Sequence, residues 1–236
     1  MKTRLNWLFW ETLIIVVGVL IALSVDDYWS DRQDRTLELD YLQRLRIEVQ
    51  EDLDHANRYI EQNLGRKLAA LDTVAPVVRG EAPVPEDLEP FLFDVGMAAL
   101  GAVAPSRWVS DTTFDDLRAT GNLRLIRNTE VRRMLSDYYR AADDFVNRLR
   151  ARTTAYPRLV HSILPAELRD NYNMAAAEAF GIERAIERIQ SQETLDLIHQ
   201  EYNFAWFAQR SYGIQRDLAQ RLLEALDQYI AELEEG

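Results

Sequence analysis

Residues 10–29 read W-E-T-L-I-I-V-V-G-V-L-I-A-L-S-V-D-D-Y-W. The unbroken apolar run inside this stretch, Leu13 to Leu23, is shorter than the roughly 20 residues a helix needs to cross a bilayer core. The flanks extend it. Trp7, Phe9 and Trp10 come before the run and Tyr28 and Trp29 after it, and such aromatics mark the two membrane interfaces. Trp10 to Trp29 spans about 28 Å of helix at 1.5 Å per residue. The expectation is therefore a membrane span over about residues 6–26. Trp7, Trp10, Tyr28 and Trp29 would be its interface anchors, and Glu11 would sit just inside one interface.

The competing reading is a cleaved signal peptide. Lys2 and Arg4 supply a charged start, and Ala22-Leu23-Ser24 resembles a small-x-small cleavage site. Glu11 interrupts the apolar region, however, and the helical pattern runs on through the supposed cleavage site, which favours an uncleaved anchor. Lys2 and Arg4 lie on the short side of the span. Arg32 and Arg35 lie farther off on the long side, behind Asp26 and Asp27. Basic residues near the membrane stay cytoplasmic. The expected topology is an inner-membrane protein with a cytoplasmic N-terminus and a periplasmic C-terminal domain.

At 100° per residue, Glu11, Ile15, Gly18 and Ala22 share one stripe of the helix. Gly18-x-x-x-Ala22 has the spacing that lets two membrane helices approach closely. The stripe is thus the candidate helix–helix contact. Glu11 is also close enough to the interface to snorkel.

Beyond the span, Leu42, Leu45, Val49, Leu53, Ala56, Ile60, Leu64, Leu68 and Leu71 recur at three- and four-residue steps. Residues 26–74 read as one amphipathic helix continuous with the span, weakest at Gly65. Gly80, Pro83 and Pro85 break it. A short apolar helix is expected over 86–103 and another over Asp111–Thr120, stopped by Gly121. Asn128 caps a helix over 129–163 that Pro157 kinks or interrupts. Residues 164–190 are less regular, and Ser191 opens a final helix to about Glu235. The predicted fold is all-α: an N-terminal transmembrane helix continuous with a long amphipathic helix, then an antiparallel helical bundle. Residues 1–26 would be the anchor and 27–236 the bundle.

The strings E-T-L-I-I-V-V-G-V-L-I-A-L-S-V-D-D-Y-W and Y-L-Q-R-L-R-I-E-V-Q-E-D-L, with the later T-F-D-D-L-R-A-T-G-N-L-R-L-I-R-N and Y-Y-R, resemble an uncharacterised family of single-pass bacterial membrane proteins. The resemblance covers the N-terminal third and the middle of the chain. It implies a bacterial membrane protein with a helical soluble domain and no assigned activity.

Composition narrows the chemistry. The formal net charge is −12 over 236 residues, which argues against nucleic acid, because phosphate binding needs a cationic face. The charge is uneven: residues 26–96 hold 8 basic and 17 acidic groups, whereas residues 118–163 hold 10 basic and 4 acidic. A basic helix lying between acidic ones accounts for this, and a docking surface for an acidic partner or anionic headgroups is the sharper alternative. There is no cysteine, which excludes disulfides, thiolate metal sites and cysteine nucleophiles.

Two D-x-x-H strings, Asp52/His55 and Asp196/His199, carry the spacing of bundle metal ligands, but their helical phases place both pairs on solvated faces. Nucleophile motifs and phosphate-binding glycine loops are missing from the sequence. No cofactor is expected. Asn122, Arg124 and Arg127 in T-G-N-L-R-L-I-R-N are candidates for contact with an anion or a partner. Tyr202, Phe204, Trp206, Phe207 and Tyr212 read mainly as core. The functional expectation is a non-enzymatic, membrane-anchored bundle acting through protein contacts, as a homo-oligomer or as an accessory or scaffold subunit of a membrane assembly. The alternatives are a ligand-binding, sensor-like bundle that signals through a partner, and an enzyme of unrecognised type.

Overall fold

The computed structural model describes residues 2–100, 109–164, 177–178 and 180–235, with residues 2–12 and Ile14 described by backbone alone. Among the described residues all regular structure is helical. Helix α1, Lys2–Arg58, runs 57 residues. A π-helical turn, Tyr59–Leu64, joins it to α2, Gly65–Val78. Arg58, Leu64 and Gly65 all keep right-handed helical dihedrals, so the rod continues through the junction. The weakness expected at Gly65 is thus a local widening of the helix, not a break.

Gly80 ends the rod at φ 72°, a left-handed value that favours glycine. Helix α3, Leu88–Ala98, starts where the Asp87 side chain accepts from Glu89 N. Helix α4, Thr112–Ala119, leads through Gly121, again left-handed at φ 74°, into a 3-10 turn over Asn122–Leu125. The side chain of Asn128 accepts from Glu130 N and Val131 N, capping α5, Thr129–Arg150. Helix α5 does not run on to 163. It stops at Arg150, and α6, Tyr156–Ile163, is a separate helix. The cause is Pro157: it lacks an N–H and clashes with the carbonyl four residues back, but a first turn tolerates it, so it opens α6. Helix α7, Ile182–Ile189, and the 44-residue α8, Gln192–Glu235, complete the chain.

Long-range contacts fix the topology. Along the α1–α2 rod, Glu38, Tyr59 and Lys67 meet Tyr229, Tyr212 and Glu201 in turn, so α8 runs antiparallel to the rod. Along α5, Tyr138 and Phe145 meet Gln215 and Tyr212, so α8 is antiparallel to α5 as well. Three apolar layers follow from end to end. The first joins α1, α4, α5 and α8 around Leu42, Leu45, Leu117, Leu135 and Leu226. The second is the Phe145–Phe204–Tyr212 layer beside the π turn. The third packs α2, α3, α6 and α7 against the start of α8.

Among the described side chains of α1, burial begins at Glu38. From Ile15 to Gln33 every described residue of α1 is exposed. Among the described residues no helix is long and apolar enough to cross a membrane. Described side chains begin at Leu13 and Ile15, so Trp7, Trp10 and Glu11 of the expected span lie outside them.

Candidate functional site

A carboxylate latch joins α1 to the segment 109–128, and of the polar residues singled out by sequence it takes in Asp52, Asn122 and Arg127. Helix α1 is buried along its inner face by Leu42, Leu45 and Val49, and acids interrupt that face. Asp52, 3 % exposed, accepts Ser110 N at 3.0 Å on one oxygen and the Tyr138 hydroxyl at 2.8 Å on the other. Glu48 accepts the Thr113 hydroxyl at 2.7 Å and Thr113 N at 3.3 Å. Asp111, the residue before α4, makes no capping bond of its own, so Glu48 supplies the N-terminal acceptor from another helix. The Tyr41 hydroxyl donates to Asp116 at 3.0 Å and accepts from the Asn122 amide at 3.1 Å. Glu38, fully buried, accepts Arg127 N and the Tyr229 hydroxyl, each at 2.6 Å.

The three residues expected to face an anion or a partner therefore divide. The Asn122 amide is held by Tyr41. The Arg127 guanidinium is paired with Asp31 and lies 4.0 Å from Glu38. Arg124 is exposed with no hydrogen-bond or ion-pair partner among the described residues, and one such arginine is too little for a built anion site. One further expectation is corrected: Asp52 is not on a solvated face. Its carboxylate points inward because α4 and α5 pack on the flank of α1 that a single apolar stripe leaves out. Burial pushes Asp52 up to about 6, against the pull of its bonds from Ser110 and Tyr138. Burial and the Glu38 carboxylate push the Tyr229 hydroxyl up to about 12. His55, Asp196 and His199 are exposed as expected. Among the described residues no three His, Asp or Glu side chains are grouped to hold a metal ion.

The second polar cluster had not been anticipated. Lys67, 1 % exposed, pairs with fully buried Glu201 and donates to the backbone carbonyls of Ala98 and Leu100. Those carbonyls belong to the C-terminal end of α3, where a cation is favoured. The other oxygen of Glu201 accepts from the Thr154 hydroxyl, and Tyr156 beside it donates to Val95 O at 3.2 Å. Burial pulls the Lys67 ammonium down, opposed by the charge of Glu201. All three ammonium protons have an acceptor and the pair is sealed from solvent. The arrangement ties α2, α3, α6 and α8 together, and it offers no atom to a substrate. A signal existed in the sequence: Lys67 lies on the apolar stripe of Leu64 and Leu71, where a solvated lysine does not belong.

No family model, no curated protein and no solved structure matches the chain. The functional reading therefore rests on the residues. The Ile15–Gly18–Ala22 stripe stands on the lone part of α1, and a Cβ built on Gly18 meets nothing within 4 Å. Around it Ile15, Val16, Val19, Leu20, Ile21 and Leu23 are 48–62 % exposed. Tyr28 and Trp29 follow at 61 % and 59 %. Of the five aromatics in 202–212, Phe204 and Tyr212 are core, whereas Trp206 is 67 % exposed.

Proposed function

We propose that the protein is a membrane-anchored helical bundle that acts through protein–protein contact, by self-association or as an accessory subunit of a membrane assembly. One observation carries the reading. From Ile15 to Val25 the apolar side chains of α1 stand exposed on every side of the helix, with no other element against them among the described residues. A helix that is apolar all round is stable only when covered, and a bilayer covers all sides at once. The aromatic pair Tyr28–Trp29 at the end of the run, followed by the charged D-R-Q-D-R, suits an interface where lipid gives way to water. In this reading the N-terminus is cytoplasmic and the bundle is held on the far side by the neck over residues 27–37. The likeness of both latch strings to a family of single-pass bacterial membrane proteins supports it, since those two strings are the ones that bind each other.

Alkaline carbonate extraction of bacterial membranes expressing the whole chain tests the anchor. The wild type is expected to stay in the pellet. Val17→Arg with Leu20→Arg, each costing about 2.5–3.5 kcal/mol at a helix centre in the membrane, is expected to release it. A wild-type chain that washes off overturns the anchor.

A sensor-like role has one observation in its favour. The rod from the apolar stretch to the Lys67–Glu201 cluster is continuous, so a displacement at either end would be carried to the other. Ligand-dependent thermal stabilisation in a metabolite screen is its test, and a flat screen on folded protein counts against it.

A further inference from the structure

Helix α8 turns one face away from everything the fold uses. Phe204, Ala208, Ser211 and Tyr212 are buried on its inner side. At 100° per residue Trp206 lies opposite them, and its 67 % exposure agrees. A tryptophan placed there adds nothing to the core. Its surroundings are cationic. Phe207, on the flank, is only partly covered, and the Arg152 guanidinium lies 3.9 Å from its ring centroid. Arg152 also donates to the Arg148 carbonyl one turn back at the end of α5, and Arg148 is itself exposed. Arg210 lies one turn on from Trp206.

Several arginines of the chain find acids, among them Arg46 with Asp227, Arg127 with Asp31, Arg133 with Glu130 and Asp137, and Arg188 with Glu193. Arg148, Arg152 and Arg210 are in no ion pair among the described residues, in a chain of net charge −12. Of the acids nearest in sequence on these two helices, Glu201 is buried against Lys67, Asp217 pairs with Arg216, and Asp143 and Asp144 lie about one turn before Arg148.

We propose that this face, Trp206 and Phe207 framed by Arg148, Arg152 and Arg210, is a docking surface for an acidic segment of another protein. An apolar side chain of the partner seats on the two rings, and carboxylates flanking it meet the guanidiniums. Exposed Trp and Arg together are the residues that dominate binding energy at protein interfaces. Charge decides between occupants. A second copy docking face to face brings the same three arginines against each other, because a two-fold interface pairs a patch with itself. The bilayer that would hold α1 is out of reach. Lys67, level with Glu201 and so about a turn from Trp206, lies about 57 Å along the rod from Trp29. The proposal rests on the reading that the protein works by protein contact, but on a surface remote from the anchor, so loss of membrane retention and loss of this binding are scored separately.

The test uses the whole chain in lipid nanodiscs and a fluorescent synthetic helix bearing a leucine stripe flanked by glutamates. Anisotropy is expected to report binding that weakens as salt rises. Trp206→Ser is expected to weaken it by about tenfold or more, the range of a hot-spot residue, and Arg152→Gln with Arg210→Gln by a similar factor. The same helix with lysines for glutamates is expected not to bind. These positions are exposed, so an unchanged melting temperature checks that the variants fold. Absence of binding by the acidic helix, or equal binding to the Trp206→Ser protein, overturns the proposal. So does a fall in oligomer mass on Trp206→Ser, which makes the face a contact between copies.

Discussion

The carboxylate of Glu38 accepts a hydrogen bond from the backbone N–H of Arg127 at 2.6 Å, joining residues 89 positions apart. The bond uses the main chain of Arg127, not its charge, and the same oxygen takes the Tyr229 hydroxyl. Glu38→Ala leaves two buried donors without a partner, which costs about 1–3 kcal/mol. Arg127→Ala keeps the N–H and loses only a half-exposed guanidinium, paired with exposed Asp31, a contact worth about 0–1 kcal/mol. Urea unfolding should therefore rank Glu38→Ala well below Arg127→Ala in stability. The reverse order would mean that the latch is held by the side-chain ion pair.

Asp52 gives the latch a pH dependence of unusual sign. Its pKa in the fold, about 6, lies above the ordinary 3.8. The folded state therefore holds this proton more tightly than the unfolded chain does. The stabilisation from the proton is complete below about pH 3.8 and is lost as pH rises through about 6. Most acids in native folds act the other way. Asp52→Asn is uncharged at every pH, so the difference in stability between wild type and variant should move in the variant's favour from pH 4 to pH 6 and then level off. Thermal melts at half-unit steps measure it. A constant difference across that range refutes the assignment.

Lys67 and Glu201 make a buried pair whose halves need each other. Lys67→Met strands a buried carboxylate, and Glu201→Leu strands a buried ammonium. Removing one partner of such a pair costs about 3–5 kcal/mol. Replacing both should cost clearly less than the sum of the single losses, since no charge is then left alone. The carbonyls of Ala98 and Leu100 and the Thr154 hydroxyl still lose their partner, so the double variant should not reach wild-type stability. Additivity in a double-mutant cycle would show that the pair is not coupled.

The helices were legible where their ends are written locally. Gly80, Gly121 and Asn128 each act on their own neighbours, so the stops and the cap could be read from one stretch of chain. The break at Arg150 was not legible in this way, because Pro157 is equally at home as a kink or as the second residue of a new helix. The latch acids were missed for a different reason. Glu38 stands four residues before Leu42, and Asp52 stands between Val49 and Ala56, all in apolar phase. Periodicity marks such positions as facing the bundle, yet charge marks them as facing water. Only the packed positions of the segment 109–128, α5 and α8 show that their donors lie inside. Trp206 is the opposite case: an aromatic at helical spacing that tertiary packing leaves outside.

Gly18 and Ala22 test the association half of the proposal without touching the monomer. Nothing lies within 4 Å of a Cβ placed on Gly18, and Ala22 is exposed on the same lone stretch of α1. A larger side chain at either site therefore cannot clash with the bundle, and it adds apolar surface that a bilayer accepts. Gly18→Ile with Ala22→Ile should leave the melting temperature of the bundle and its membrane retention as they were. If two copies meet along this stripe, the added branches push their backbones apart, since close approach is what small residues at this spacing allow. The expected outcome is loss of the dimer band on cross-linking in native membranes. Unchanged oligomers after the double substitution would show that the stripe faces lipid and that any association runs through the bundle.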